Sequence, residues 1–139
     1  MILPFKITLE ELSKSGKNFK WPKYFCDCCQ RNMWGHGFVA RYFETNPDPV
    51  FLKRYRCPDC KALVVVRPEE YWSRIRSSIL VIYLSLKSRL SLGRWPELFP
   101  RQRGNHWLKK FVRFATMETE PNLSSFLDRC HLKMIRFLP

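Results

Sequence analysis

The stretch RYRCPDCKALVVVRP, residues 54–68, decides the fold. It places Cys57 and Cys60 in a Cys-x-x-Cys spacing, with Pro58 presetting the turn between them. A β-branched run follows, and Pro68 closes it. Thiolates at that spacing wrap a tetrahedral ion from a tight knuckle, and a four-ligand site needs a second knuckle. FCDCCQRN, residues 25–32, supplies one: Cys26 and Cys29 repeat the spacing, and Cys28 lies inside the turn. The predicted ligands of a Zn²⁺ ion are Cys26, Cys29, Cys57 and Cys60. Cys28 is the alternative within its knuckle, and His36 is the alternative for a mixed site. Lys61 stands where glycine would make such a turn easiest.

Between the knuckles, FVARYFE (38–44) and VFLKRYR (50–56) are aromatic and β-branched, and TNPDP (45–49) separates them as a turn. ALVVVR (62–67) is a third strand. The interval between knuckles exceeds the usual ~15–20 residues, yet it suits two strands and a turn. Strand, turn, strand, with a Cys pair before and after, is the layout of a zinc ribbon over residues 26–67.

Residues 1–25 read as a basic, aromatic arm. Thr8 and Glu11 have capping-box spacing, which places a short helix in TLEELS. KSGKNFKWPKYF (14–25) then either packs Phe19 and Trp21 onto the ribbon or touches phosphate with its lysines, and packing is preferred.

From Pro68 the period becomes helical, with Pro68, Glu69 and Glu70 suited to a helix start. Trp72, Ile75, Ile79, Ile82, Leu86 and Leu90 recur at spacings of three and four. Leu80, Val81 and Leu84 widen that stripe and predict a helix central to a bundle; Gly93 and Pro96 end it. A second helix is predicted from Pro100 or Arg103 to Thr116. A third follows Pro121, with Leu123, Phe126, Leu127, Cys130, Met134 and Phe137 on one face. Cys130 reads as a small buried hydrophobe. The expected class is therefore α+β: a small zinc ribbon followed by a C-terminal three-helix bundle over residues 68–139.

Lys+Arg number 25 against 12 for Asp+Glu, a formal charge of +13 that calls for a polyanionic partner. Nucleic acid leads over a membrane: the longest apolar run, Ile79–Leu84, is far below the ~18 residues that span a bilayer. No secretory signal is visible, so a cytoplasmic location is expected, where thiols stay reduced and serve metals better than disulfides. The acids are scattered rather than convergent. There is no Gly-rich phosphate loop, Gly-x-Ser-x-Gly or His-Glu-x-x-His, so no enzymatic activity is expected.

PRQRGNHWLKKFVRFAT (100–116) carries the sharpest functional signal. At 100° per residue, Arg103, His106, Lys109, Lys110 and Arg113 share one face and Trp107, Leu108, Phe111, Phe114 and Ala115 the other. From Lys87 to Arg113 the basic residues meet a single acid, Glu97. Helix, Gly- and Pro-containing turn, and basic amphipathic helix are the parts of a helix-turn-helix. Arg101, Gln102, Arg103, Asn105 and His106 are then placed to read bases; Lys109, Lys110 and Arg113 would hold phosphates. Gly104 counts against a helix there by ~1 kcal/mol.

With RYRCPDCKALVVVRPEEYWSRIRSSI and LSLGRWPELFPRQRGNHWLKKF in view, residues 24–115 resemble the small zinc-ribbon and helix-turn-helix proteins encoded by bacterial insertion sequences. The crowded CDCC knuckle and Lys61 depart from that pattern. The resemblance implies binding to double-stranded DNA in or beside a mobile element. The chain would serve as an accessory factor to a transposase or recombinase, as a transposase fragment or as a regulator, with a homodimer left open. The competing expectation is an RNA- or ribosome-associated ribbon, or an adapter in a nucleic-acid complex. RNA would use Phe19, Trp21 and Trp34 as stacking platforms.

Overall fold

The sequence patterns become a four-stranded sheet and four α-helices in the computed structural model, which describes residues 2–97 and 99–138. The chain divides into two units, Met1–Tyr71 and Trp72–Pro139.

In the first unit β1 (Ile2–Phe5) precedes α1 (Leu9–Ser15) and a 3₁₀ turn (Gly16–Asn18). The strands β2 (Trp34–Phe43), β3 (Asn46–Arg56) and β4 (Leu63–Pro68) follow. The sheet order is β1-β4-β3-β2. Both β2/β3 and β3/β4 are antiparallel, and Trp34 lies opposite Arg56, Phe38 opposite Lys53 and Arg54 opposite Val65.

The N-terminal residues are not a separate arm. Ile2–Phe5 pairs parallel with β4, Ile2 opposite Val65 and Phe5 opposite Pro68. Pro4 is tolerated because β1 is an edge strand, where a missing N–H leaves no ladder bond unmade. Thr8 caps α1 reciprocally: Glu11 N–H donates to Thr8 Oγ1 (3.2 Å) and Thr8 N–H to the Glu11 carboxylate (3.0 Å). The cap turns Leu9 and Leu12 inward onto Ile7, Phe43, Val50, Leu52 and Tyr71, and the half-buried Phe19 and Trp21 pack against the same cluster.

In the second unit α2 spans Ile79–Leu92, not a helix from Pro68. Pro68 is the last residue of β4, and Glu69 N–H donates to Phe5 O (3.1 Å), so the backbone there is committed to the sheet. Ser78 starts the helix instead, its hydroxyl accepting from Val81 N–H at 3.2 Å. Trp72 and Ile75 still reach the core, but from the loop before α2. Leu80 and Leu84 are 54% and 53% exposed, so α2 is not wrapped on all sides as a bundle centre would be.

Gly93 closes α2 in the left-handed region (φ 71°), its N–H donating to Arg89 O. Helix α3 covers Arg101–Met117. Helix α4 covers Leu123–Leu132, capped by Asn122 Oδ1 accepting from Ser125 N–H (2.9 Å). It ends before Met134, which is exposed with φ 53°; Phe137 and Leu138 return to the core from the segment beyond. Trp107, Phe111 and Ala115 of α3 meet Ile79, Ile82 and Leu86 of α2 and Phe126, Leu127 and Cys130 of α4 in that core. Among the described residues no helix is long and apolar enough to cross a membrane.

Candidate metal centre and basic helix

Cys26, Cys29, Cys57 and Cys60 come together with all four Sγ atoms within 4.8 Å of one another. A tetrahedral ion with Zn–S bonds of ~2.3 Å separates its sulfurs by about 3.8 Å, and Cys26 Sγ lies 3.6 Å from Cys60 Sγ. The donor set and spacing therefore fit a closed four-thiolate site able to hold a metal ion. Cys28 is exposed and outside the cluster, and His36, also exposed, is not part of it.

The two knuckles are built alike. Cys26 N–H donates to Arg31 O (2.8 Å) and Cys57 N–H to Ala62 O (2.9 Å), each bond closing the same six-residue turn. Gln30 and Lys61 occupy equivalent positions with φ of 55° and 61°. Their side chains reach back equivalently, Gln30 Nε2 to Asp27 O (3.1 Å) and Lys61 Nζ to Pro58 O. Inside each turn the first cysteine sulfur accepts backbone N–H bonds, Cys26 from Cys29 and Cys28, Cys57 from Cys60 and Asp59. Cys28 and Asp59 are thus counterparts, and both point outward: Asp59 Oδ2 accepts from Arg31 Nε at 2.9 Å, which ties one knuckle to the other. Neither that clasp nor the special role of Gln30 was predicted; superposing CDCCQR on CPDCKA would have exposed the second.

Burial acts to raise the Cys57 thiol, but the N–H groups of Cys60 and Asp59, with the neighbouring Cys60 and Cys26 sulfurs, bring it down to about 7. The N–H groups of Cys29 and Cys28 act to lower Cys26, yet burial and the Cys60 and Cys57 sulfurs leave it raised. Cys57 is thus the thiol of the set held below the ordinary range, while Cys26 is held above it. The centre is seated on Met33, Tyr55, Val64 and Val66, so its position is fixed by the sheet.

The basic helix lies in the other unit. Along α3, Arg101, Gln102, Arg103, Asn105, His106, Lys109 and Arg113 are exposed and Lys110 is half-buried, while Trp107, Phe111 and Ala115 are buried. The connection from α2 runs over residues 93–100, longer than the three or four residues of a compact helix-turn-helix. Trp95 and Phe99 fill that added length by packing against the core. Gly104, which seemed a defect, is buried where a Cβ would come within 2.9 Å of Trp95 and 3.0 Å of Phe99. Its lost helix propensity is exchanged for close approach of the connection to α3.

Lys87 does not belong to the basic surface. Its ammonium donates to Asp128 (2.7 Å) and Ser124 (2.8 Å) on α4, and Tyr83 OH donates to the same carboxylate at 2.9 Å. Nor are Phe19 and Trp21 open stacking platforms, since both pack on the first unit's core. Trp34 is 67% exposed.

Across known proteins, a 38-residue stretch, 27% of the chain, is 37% identical to part of zinc finger protein 711 of Danio rerio. The chain spans 5% of that protein's length. No protein-family model matches the chain, and no solved structure does.

Proposed function

We propose that this chain is a zinc-stabilised, sequence-specific DNA-binding protein without catalysis of its own, acting in the cytoplasm as an accessory factor or regulator of a mobile element. Zn²⁺ would be held by Cys26, Cys29, Cys57 and Cys60, and the similarity of a short stretch to a zinc finger protein supports that choice of ion. With four thiolates and no open position, the ion supplies a cross-link rather than a reaction centre.

The observation that carries DNA binding is α3: its aromatic face is buried, and the opposite face displays Arg103, His106, Lys109 and Arg113 to solvent. The unit around it, Trp72–Pro139, holds 13 Lys and Arg against 4 Asp and Glu, a formal +9. A helix-turn-helix with a lengthened turn would set Arg101, Gln102, Arg103, Asn105 and His106 against base edges and Lys109, Lys110 and Arg113 against phosphates. A transposase or recombinase bound at the same site would be the second partner, and two copies of the chain on a palindromic site would be the arrangement of a homodimer.

Duplex binding measured across a salt series tests the proposal. Neutralising about six phosphates gives a slope near −5 of log affinity against log salt. The double variant Arg103→Ala/Lys109→Ala should lose duplex binding while keeping one zinc per chain and its thermal transition. Salt-independent affinity, or full binding by the double variant, rejects the assignment; tighter binding of single-stranded RNA than of duplex favours the RNA alternative.

A further inference from the structure

A cleft of about 590 Å³ opens between the C-terminal end of α2, the connecting segment and the first turns of α3. That volume is within the ~300–1,000 Å³ of small-molecule sites. Arg89, Arg94 and Arg101 line it together with Trp95, Asn105 and a single acid, Glu97. Three guanidinium groups against one carboxylate leave two positive charges on its walls. Among the described residues neither Arg94 nor Arg101 has an ion-pair partner, so this charge is not spent within the chain.

The walls are braced. Arg89 donates to Gly93 O and lies with its guanidinium 5.9 Å from the centre of the Trp95 ring. Ser88 Oγ donates to Arg94 O at 2.9 Å, fixing the backbone that presents Arg94. On the far side Trp95 and Phe99 rest against Gly104, where no Cβ keeps them away. An isolated solvated charge run needs none of these restraints; a binding cleft that must hold its shape does.

We propose that this cleft binds a phosphate ester. The two excess charges offset a phosphate whether it is a monoanionic backbone diester or a dianionic terminal monoester, guanidinium forks suit its tetrahedral oxygens, and the Asn105 amide supplies a further polar contact. The volume beyond the phosphate leaves space for the sugar it is attached to. The phosphate comes either from a nucleic-acid backbone or from a free nucleotide. The backbone source rests on the duplex reading of α3, with Arg101 and Asn105 then turned to phosphate rather than to base edges; the chemistry of the cleft does not rest on that reading.

The test uses the zinc-loaded full chain, with tripolyphosphate and a short duplex as probes in separate calorimetric titrations. Arg94→Gln should weaken tripolyphosphate binding about tenfold, the loss expected for one charge-assisted contact, with an unchanged melting transition. Gly104→Ala should weaken it similarly by pushing Trp95 off the helix while helical content is kept. If the duplex also weakens in Arg94→Gln and its salt slope falls by about 1, the cleft holds a backbone phosphate. If tripolyphosphate binds in an Arg94-dependent way but no duplex binds, the cleft serves a free phosphate ligand and only the duplex reading fails. Duplex binding that depends on Arg103 and Lys109 yet is unmoved by Arg94→Gln, with no Arg94-dependent tripolyphosphate binding, overturns the cleft and leaves the duplex reading in place. Absence of all binding overturns both.

Discussion

The two units of this chain solve the same folding problem with different materials. The first has four strands and a short helix, and its metal end rests on a few side chains, Met33, Tyr55, Val64 and Val66, beside four sulfurs. The second has three helices around a continuous apolar core in which Phe111 is fully buried and meets Phe126 and Phe137. Charge divides them too: the first carries 12 Lys and Arg against 8 acids, the second 13 against 4. One unit pairs a small apolar core with four cysteines placed where they could hold a metal ion, and carries a formal +4. The other supports itself by burial and carries most of the excess charge outward.

The largest expected effect would break that contrast or confirm it. Cys57→Ser, or removal of metal by a chelator, should abolish stoichiometric zinc and melt the first unit. Structural zinc is worth about 10–16 kcal/mol in small zinc-dependent folds, where binding energy is folding energy. The helical circular-dichroism signal of the second unit should survive. Its collapse along with the sheet would mean that the sulfurs hold both units.

The reciprocal perturbation comes next. Phe111→Ala removes a side chain with no exposure, for a cost of about 3–5 kcal/mol. Thermal melting should show the helical transition displaced downward, with zinc content unchanged. Loss of zinc in this variant would contradict separate stabilisation.

How much of this was readable from the sequence follows the same division. The knuckles were legible because metal ligation tolerates few residue types and fixes their spacing, whereas Cys28 stayed open as an alternative ligand until the sulfurs of Cys26, Cys29, Cys57 and Cys60 were found together without it. Helix α3 was legible because burial and charge alternate along it with a single period. Helix α2 began later than predicted because Trp72 and Ile75 fit the helical period while packing from a loop, and periodicity reports burial rather than conformation. Strand β1 was missed for a related reason. Four residues with a proline are too short to show a pattern, and their parallel partner is β4, far along the chain. The braced cleft was hidden because Arg89, Arg94 and Arg101 look like any charge run until Gly104 brings the connection against α3.

A smaller effect tests the half-buried ion pair between Lys87 and Asp128 in the second unit. The hydrogen bond from Lys87, then that from Tyr83, holds the Asp128 carboxyl below its ordinary range. A carboxylate whose folded pKa is depressed stabilises fully above its unfolded value, about 4, and that contribution is lost as pH falls through the folded value. The melting temperature of the second unit should therefore fall on acidification below about pH 4. Asp128→Asn should lower it at neutral pH and flatten that acid limb. An acid limb as steep as in the parent chain would place the titrating group elsewhere.

The finest comparison lies within the metal centre, between its two knuckles. Gln30 and Lys61 both occupy the left-handed region, which costs a non-glycine residue roughly 1–2 kcal/mol, and both return a side-chain hydrogen bond to the carbonyl three residues earlier. Glycine at either position would relieve the backbone but lose that bond and add unfolded-chain freedom, so Gln30→Gly and Lys61→Gly should each change stability by less than about 1 kcal/mol. Valine loses the bond and adds β-branched crowding to a left-handed backbone, so Gln30→Val or Lys61→Val should each cost about 1–2 kcal/mol of zinc-linked stability, read from competitive chelator titration. Equal losses at the two positions would make the knuckles equivalent in energy as they are in geometry. A larger loss at Lys61 would mark the Cys57 knuckle as the half to which the stability of the centre is more tightly coupled.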